Sequence, residues 1–132
     1  MKKVVFVCIH NSCRSQMAEA IAKELGKNLI DVYSAGVEEY PEVKHLAIKV
    51  IEELNIDMKN QMPKLIKDIP NDIDILITMG CGVECPYVPC THREDWGLDD
   101  PSGKDISEFR KTRDIIIEKV KDLLTRIKDN KI

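Results

Sequence analysis

Aromatic side chains make up only 5% of this 132-residue chain, too few to line a slot for a flat ring. No apolar run approaches the roughly 20 residues that cross a bilayer as a helix, so no membrane partner is expected. Positive charge is not in excess either. Twenty Lys and Arg stand against 23 Asp and Glu, for a net charge of -3 and a pI near 5.6. That balance excludes the electrostatic footprint of a nucleic-acid binder and leaves any anion to be bound locally. Internal repeats, low-complexity tracts and linkers are missing, and the charges are interspersed rather than blocked. The two lysines and short apolar run before His10-Asn11-Ser12 do not make a secretory leader. The expectation is a cytoplasmic protein folded as one domain over residues 1–132.

Cysteine, by contrast, is present in an odd number, five. In a compartment that keeps thiols reduced, this argues against a disulfide framework and for catalytic, redox or metal use.

Periodicity supplies the elements. Residues 3–8 form a continuous Val-rich run, predicted as a buried strand, and residues 15–27 carry Met17, Ala18, Ile21, Ala22 and Leu25 at helical spacing. A second strand is predicted at 29–34, running into "SAG", and a helix at 41–55 with the stripe Val43, Leu46, Ala47, Val50, Ile51 and Leu54 and with Pro41 in its first turn. "DIDILITM" at 72–79 is the clearest third strand, a fourth is expected near Trp96, and a last helix at 114–128 runs through Ile116, Val120, Leu123, Leu124 and Ile127. Strands alternating with helices imply an α/β fold: a single three-layer domain with a four-stranded parallel sheet flanked by helices. Ligands of such sheets bind beyond the carboxyl ends of the strands. Cys8, Ser34 and Cys81 fall at or just after those ends and should gather along one edge.

The loop between the first strand and the first helix carries the chemistry. It exposes unpaired backbone N–H groups at the positive end of a helix dipole. Arg14 adds a planar fork that matches a tetrahedral oxyanion. A thiol at the loop's first position faces those donors, and such a setting favours the thiolate, so Cys8 is predicted as a nucleophile aimed at a bound oxyanion, with Ser15 donating to its sulfur. The blander alternative, a strand-end thiol and a solvated arginine, is the commoner meaning of a bare C-x5-R; the setting between strand and helix is what argues against it.

With "CIHNSCRS" at the strand end, "RSQMAEA" opening the helix, "SAG" at 34–36 and "DDP" at 99–101, essentially the whole chain resembles the low-molecular-weight tyrosine phosphatase superfamily, whose fold is flavodoxin-like. The resemblance implies Cys8 as nucleophile, Arg14 as oxyanion clamp, Asn11 and Ser15 as loop organisers and Asp100 as general acid. The loop formed by Cys8, Ile9, His10, Asn11, Ser12, Cys13 and Arg14 is then the oxyanion cradle. Glu19 and Ser34 become supporting residues, Glu19 matching a position that belongs to a monovalent-cation environment in the arsenate-reductase branch; no other cofactor is implied. His10 stands where the family usually has glycine, and histidine tolerates positive φ.

Two stretches separate the branches. The phosphatases follow their Asp-Pro with aromatic residues, whereas this chain has "DPSGK", which favours a small inorganic oxyanion, arsenate or a phosphate-like ion. "TMGCGVECPYVPC" at 78–90 resembles the arsenate reductases of this fold, which implies that Cys81 attacks the sulfur of Cys8 and Cys85 resolves the product, with thioredoxin or a low-molecular-weight thiol as reductant. The alternative is phosphomonoester hydrolysis by Cys8, Arg14 and Asp100. A zinc site of Cys81, Cys85, Cys90 and His92 has suitable ligand types but fits no familiar spacing, so no metal is assigned. Cys90 is read as spare, Cys13 as a packing residue able to form an internal disulfide with Cys8, Trp96 as core, and Tyr40 and Tyr87 as surface aromatics.

Overall fold

A computed structural model describes residues 1–80 and 87–132. Its elements alternate as expected: β1 (Lys2–Cys8), α1 (Arg14–Leu25), β2 (Ile30–Gly36), α2 (His45–Glu52), a short 3-10 turn (Ile66–Asp68), β3 (Ile73–Thr78), β4 (Cys90–Asp95) and α3 (Ile106–Lys128). The four strands form one parallel sheet in the order β2-β1-β3-β4. Because every strand runs the same way, the strand ends Cys8, Gly36 and Thr78 lie on one edge; of the residues expected to gather there, Cys8 ends β1, Ser34 lies two residues before the end of β2, and Cys81 falls outside the described residues.

β1 is central and buried on both sides, which is why its sequence is a continuous apolar run rather than an alternation. Val4 and Phe6 enter the larger core with Met17, Ile21, Val50, Ile51, Ile116, Val120 and Leu123. Val5 and Val7 enter a smaller cluster with Ala35, Ile73, Leu76 and Val88. Among the described residues, no helix is long and apolar enough to cross a membrane.

The structure corrects three element boundaries. The helix expected at 41–55 starts only at His45, because Lys44 stays extended (ψ 132°) and donates its backbone N–H to Ser12 O at 2.7 Å. That hydrogen bond ties the segment to the loop between β1 and α1 and withholds it from the helix. The last helix starts two turns earlier than its apolar stripe suggests: Asp105 caps it by accepting from Ser107 N at 3.1 Å, and buried Phe109 and Thr112 continue its inner face. The strand expected near Trp96 ends one residue before it. Trp96 packs in the core with its ring centroid 5.5 Å from that of Phe6, and its indole N–H donates to Glu94. Arg126 of α3 grips the same carboxylate through two N–H groups at 2.8 and 2.9 Å, fastening the edge strand to the helix.

Candidate active site

β1 ends on Cys8 and α1 begins on Arg14, so the five residues between them must turn the chain through a tight arc. The arc needs one left-handed residue, and it is Asn11, at φ 53°, rather than His10. Asparagine suits the position because its side chain then works inside the loop. Asn11 Nδ2 donates to Ser15 Oγ at 2.7 Å, while Oδ1 accepts from Lys64 N and from Gln16 Nε2, both at 2.9 Å. Gln16, wholly buried, also donates to Met62 O at 2.9 Å. The loop lies directly on Gly36, where a Cβ would come within 2.8 Å of His10 C and 2.9 Å of Asn11 N. This contact is why "SAG" ends β2: any side chain there would lift the loop off the sheet.

Cys8 is buried, and its Sγ lies 2.8 Å from Ser15 Oγ. With Asn11 Nδ2 donating to that hydroxyl oxygen, the hydroxyl proton is free to point at the sulfur. Arg14 is buried too. Its Nη1 donates to Met79 O at 2.6 Å and Leu98 O at 2.8 Å, the chain just after β3 and β4, and its Nη2 stands 3.8 Å from Asp100 Oδ2. The buried Nε has no hydrogen-bond partner among the described residues. An oriented guanidinium with a spare buried N–H, beside a thiol fixed by a hydroxyl, is suited to hold and attack a tetrahedral oxyanion.

Asp100 lies at the mouth, half exposed, with Oδ1 accepting from Ser102 N at 3.0 Å. Burial pushes its carboxyl up, but the Ser102 N–H and hydroxyl, aided by Arg14 and Lys44, outweigh that and hold it below the usual aspartate value. Asp100 is thus ionised at neutral pH. Cys13 is the opposite case. Burial, with Asp100 and Cys8 nearby, pushes its thiol far up, and it packs unbridged in the main core as the residue before α1.

The structure thus brings together Cys8, Asn11, Arg14, Ser15 and Asp100. Ile9 O accepts from Val37 N and Glu38 N, holding the loop to the chain after β2. Ser12 is buried and held through its carbonyl by Lys44, while His10 stacks on Tyr40 with ring centroids 4.9 Å apart. Cys81 and Cys85 lie outside the described residues. Cys90 begins β4 opposite Ile73, at the other edge of the sheet from Cys8. Of the remaining zinc candidates, His92 is taken up by Glu94 at 2.7 Å.

Glu19 is not a solvated helix carboxylate. It is buried, accepts from Ser34 Oγ and Lys23 Nζ, and has Lys64 Nζ 3.6 Å away. Two ammonium groups already match its charge. These residues do not fit a monovalent cation, which would have to share the carboxylate with both lysines.

The sequence motifs assign no role to Gln16, Lys44 or the carbonyls of Met79 and Leu98. Gln16 alone left a signal, a polar residue beside Met17 and Ala18 on a face that proves to be buried all round.

Residues 3–85 and 82–132 match the family of low molecular weight phosphotyrosine protein phosphatases, and the chain belongs to that family. Within it, the chain is 44% identical over 131 residues to a glutaredoxin arsenate reductase of Synechocystis sp., covering 96% of this chain and 99% of that protein. It is also 44% identical over 124 residues to an arsenate reductase of Bacillus cereus strain Q1, covering 91% and 92%. A solved structure of an arsenate reductase in the phosphate binding state superposes with a TM-score of 0.88 at 44% identity, covering 96% of this chain and 99% of that one.

Proposed function

We propose that this protein is an arsenate reductase that works through a Cys8 thiol-arsenate adduct and a Cys8/Cys81/Cys85 disulfide relay. The observation that carries this reading is the anchor of Arg14 on Met79 O. The chain that leaves this anchor reaches Cys81 two residues later, so the reductase cysteines continue directly from the oxyanion clamp. A phosphatase has no use for them there.

In the first step the Cys8 thiolate attacks arsenic and forms an S–As bond while one oxygen departs as water, its protons coming from arsenate and through Asp100. Arg14 and the loop N–H groups balance the charge on the remaining oxygens. The Cys81 thiolate then attacks the sulfur of Cys8. The S–As bond breaks, its electron pair stays on arsenic, As(V) becomes As(III), and arsenite leaves behind a Cys8–Cys81 disulfide. Cys85 next attacks the sulfur of Cys81, freeing the Cys8 thiolate and leaving a Cys81–Cys85 disulfide for thioredoxin or a low-molecular-weight thiol with glutaredoxin to reduce. The two electrons gained by arsenic equal the two lost by the thiol pair.

The test counts arsenite released per enzyme and maps disulfides by peptide mass under non-reducing conditions. Cys85→Ser is expected to release one arsenite and stop as a Cys8–Cys81 disulfide; Cys81→Ser should stall before release. Cys90→Ser should turn over like the wild type, since a six-residue strand puts its end about 17 Å from the catalytic edge. Multiple turnover by Cys85→Ser would overturn the relay. Running the wild type with thioredoxin and its reductase, and separately with glutathione and glutaredoxin, identifies the reductant by which system sustains arsenate-dependent NADPH oxidation.

Asp100→Asn removes the proton carrier but keeps the shape. Turnover in the arsenate assay is expected to fall about 10²-fold or more, with the unfolding midpoint little changed because the side chain is half exposed. Equal activity in variant and wild type would remove Asp100 from the first step.

A further inference from the structure

We propose that Lys44 is a specificity-determining residue of the oxyanion site, a second cation at its rim that favours a doubly charged oxyanion. The proposal rests on the reading of the Cys8–Arg14 loop as an oxyanion cradle and adds a residue to it. Lys44 is stitched to that cradle through its own backbone, with its N–H on Ser12 O at 2.7 Å. Its side chain is steered by Tyr40: Nζ donates to the phenolic oxygen and lies 4.5 Å from the ring centroid. The Tyr40 ring packs in turn against His10, a loop residue. Loop, tyrosine and ammonium thus form one closed rim.

The second observation is what the ammonium lacks. Among the described residues no carboxylate comes within ion-pair distance of Lys44 Nζ, and Asp100 acts on it only from farther off. Tyr40 takes one of its three N–H groups. A positive charge and two donors are left beside the cradle. Its field also reaches inward, acting on Asp100 and Cys13 in the same direction as Arg14, though less than Arg14 in each case. With Tyr40 engaged by Lys44 and His10, the aromatic ring at this rim is occupied holding a charge. Such a rim favours arsenate or phosphate dianions over singly charged or aryl-bearing ligands.

The experiment measures binding of inorganic phosphate through its protection of Cys8 from iodoacetamide, read by peptide mass, and needs no arsenate chemistry. Lys44→Met keeps the backbone bond to Ser12 and removes the ammonium, its charge together with its N–H donors and the hydrogen bond to Tyr40. Its phosphate Kd is expected to rise about tenfold, with a shallower dependence on salt. Lys44→Arg should stay within about threefold of wild type, because it restores the charge. In the arsenate assay, Lys44→Met should raise KM with kcat largely kept. An unchanged phosphate Kd in Lys44→Met would overturn the proposal, and so would a loss that Lys44→Arg fails to rescue. If phosphate protects Cys8 and Lys44→Met weakens that protection while the wild type reduces no arsenate, the rim assignment holds and the reductase reading fails.

Discussion

Arg14→Lys is expected to lose about 10²- to 10³-fold in kcat/KM for arsenate, the cost of removing a preorganised oxyanion donor. The charge survives this change, so the loss measures geometry. Nη1 spans two carbonyls, Met79 O and Leu98 O, and these contacts fix the plane of the guanidinium. The opposite edge, Nε and Nη2, makes no hydrogen bond among the described residues; Nε is fully buried, and Nη2 has only the 3.8 Å approach to Asp100. That edge presents two parallel N–H groups, the arrangement that meets two oxygens of a tetrahedral anion. A lysine ammonium at the same depth has to choose between the carbonyls and the anion. If it turns to the anion, two buried acceptors lose their donor, at about 1–3 kcal/mol for each unsatisfied group. Steady-state kinetics and urea unfolding on one preparation separate the two costs. A variant within threefold of wild-type kcat/KM would show that charge alone is enough.

The largest stability loss is expected at Asn11. Asn11→Ala should lower unfolding free energy by about 3–5 kcal/mol, the range reached when a buried hydrogen-bond network and a special backbone conformation fail together. Its amide serves Ser15 Oγ, Gln16 Nε2 and Lys64 N at once, in a fully buried position. Alanine also has to hold φ 53°, which costs roughly 1–2 kcal/mol for an ordinary L-residue. Asn11→Gly loses the same hydrogen bonds without the backbone strain, so it should unfold at higher urea than Asn11→Ala by about 1 kcal/mol. Equal stabilities for the two would mean that the loop bears no strain at this residue. Both variants should react more slowly at Cys8, because Ser15 loses the group that orients it.

Much of the fold could be read from the sequence because β1 and β3 are buried apolar runs and α1 has a regular stripe. Where the elements depart from the periodicity of the sequence, a local hydrogen bond outweighs it. Lys44 spends its N–H on Ser12 instead of on a helix, and Asp105 starts α3 ahead of its apolar stripe, whose inner face at Thr112 looks polar. In the site, Cys8, Asn11, Arg14 and Ser15 were legible because they sit in one contiguous motif, and Asp100 because proline follows it. The acceptors that aim Arg14 were not, since a backbone carbonyl has no letter of its own. Neither was Lys44, which acts through Tyr40 and Ser12 rather than through a motif. The resemblance points to His10 as the left-handed residue, and the structure gives that conformation to its neighbour Asn11, whose amide can knit the loop together.

The anchors of Arg14 are also a matter of topology. The chain departs from the site at Met79, makes the excursion that includes β4, and returns at Leu98, and both points are tied to the same nitrogen atom. One side chain on α1 therefore works as the clasp of a noncovalent ring, closed by two hydrogen bonds rather than by a disulfide. Because one nitrogen holds both departure and return, neither end of the ring can leave the clasp without giving up a hydrogen bond to the same side chain.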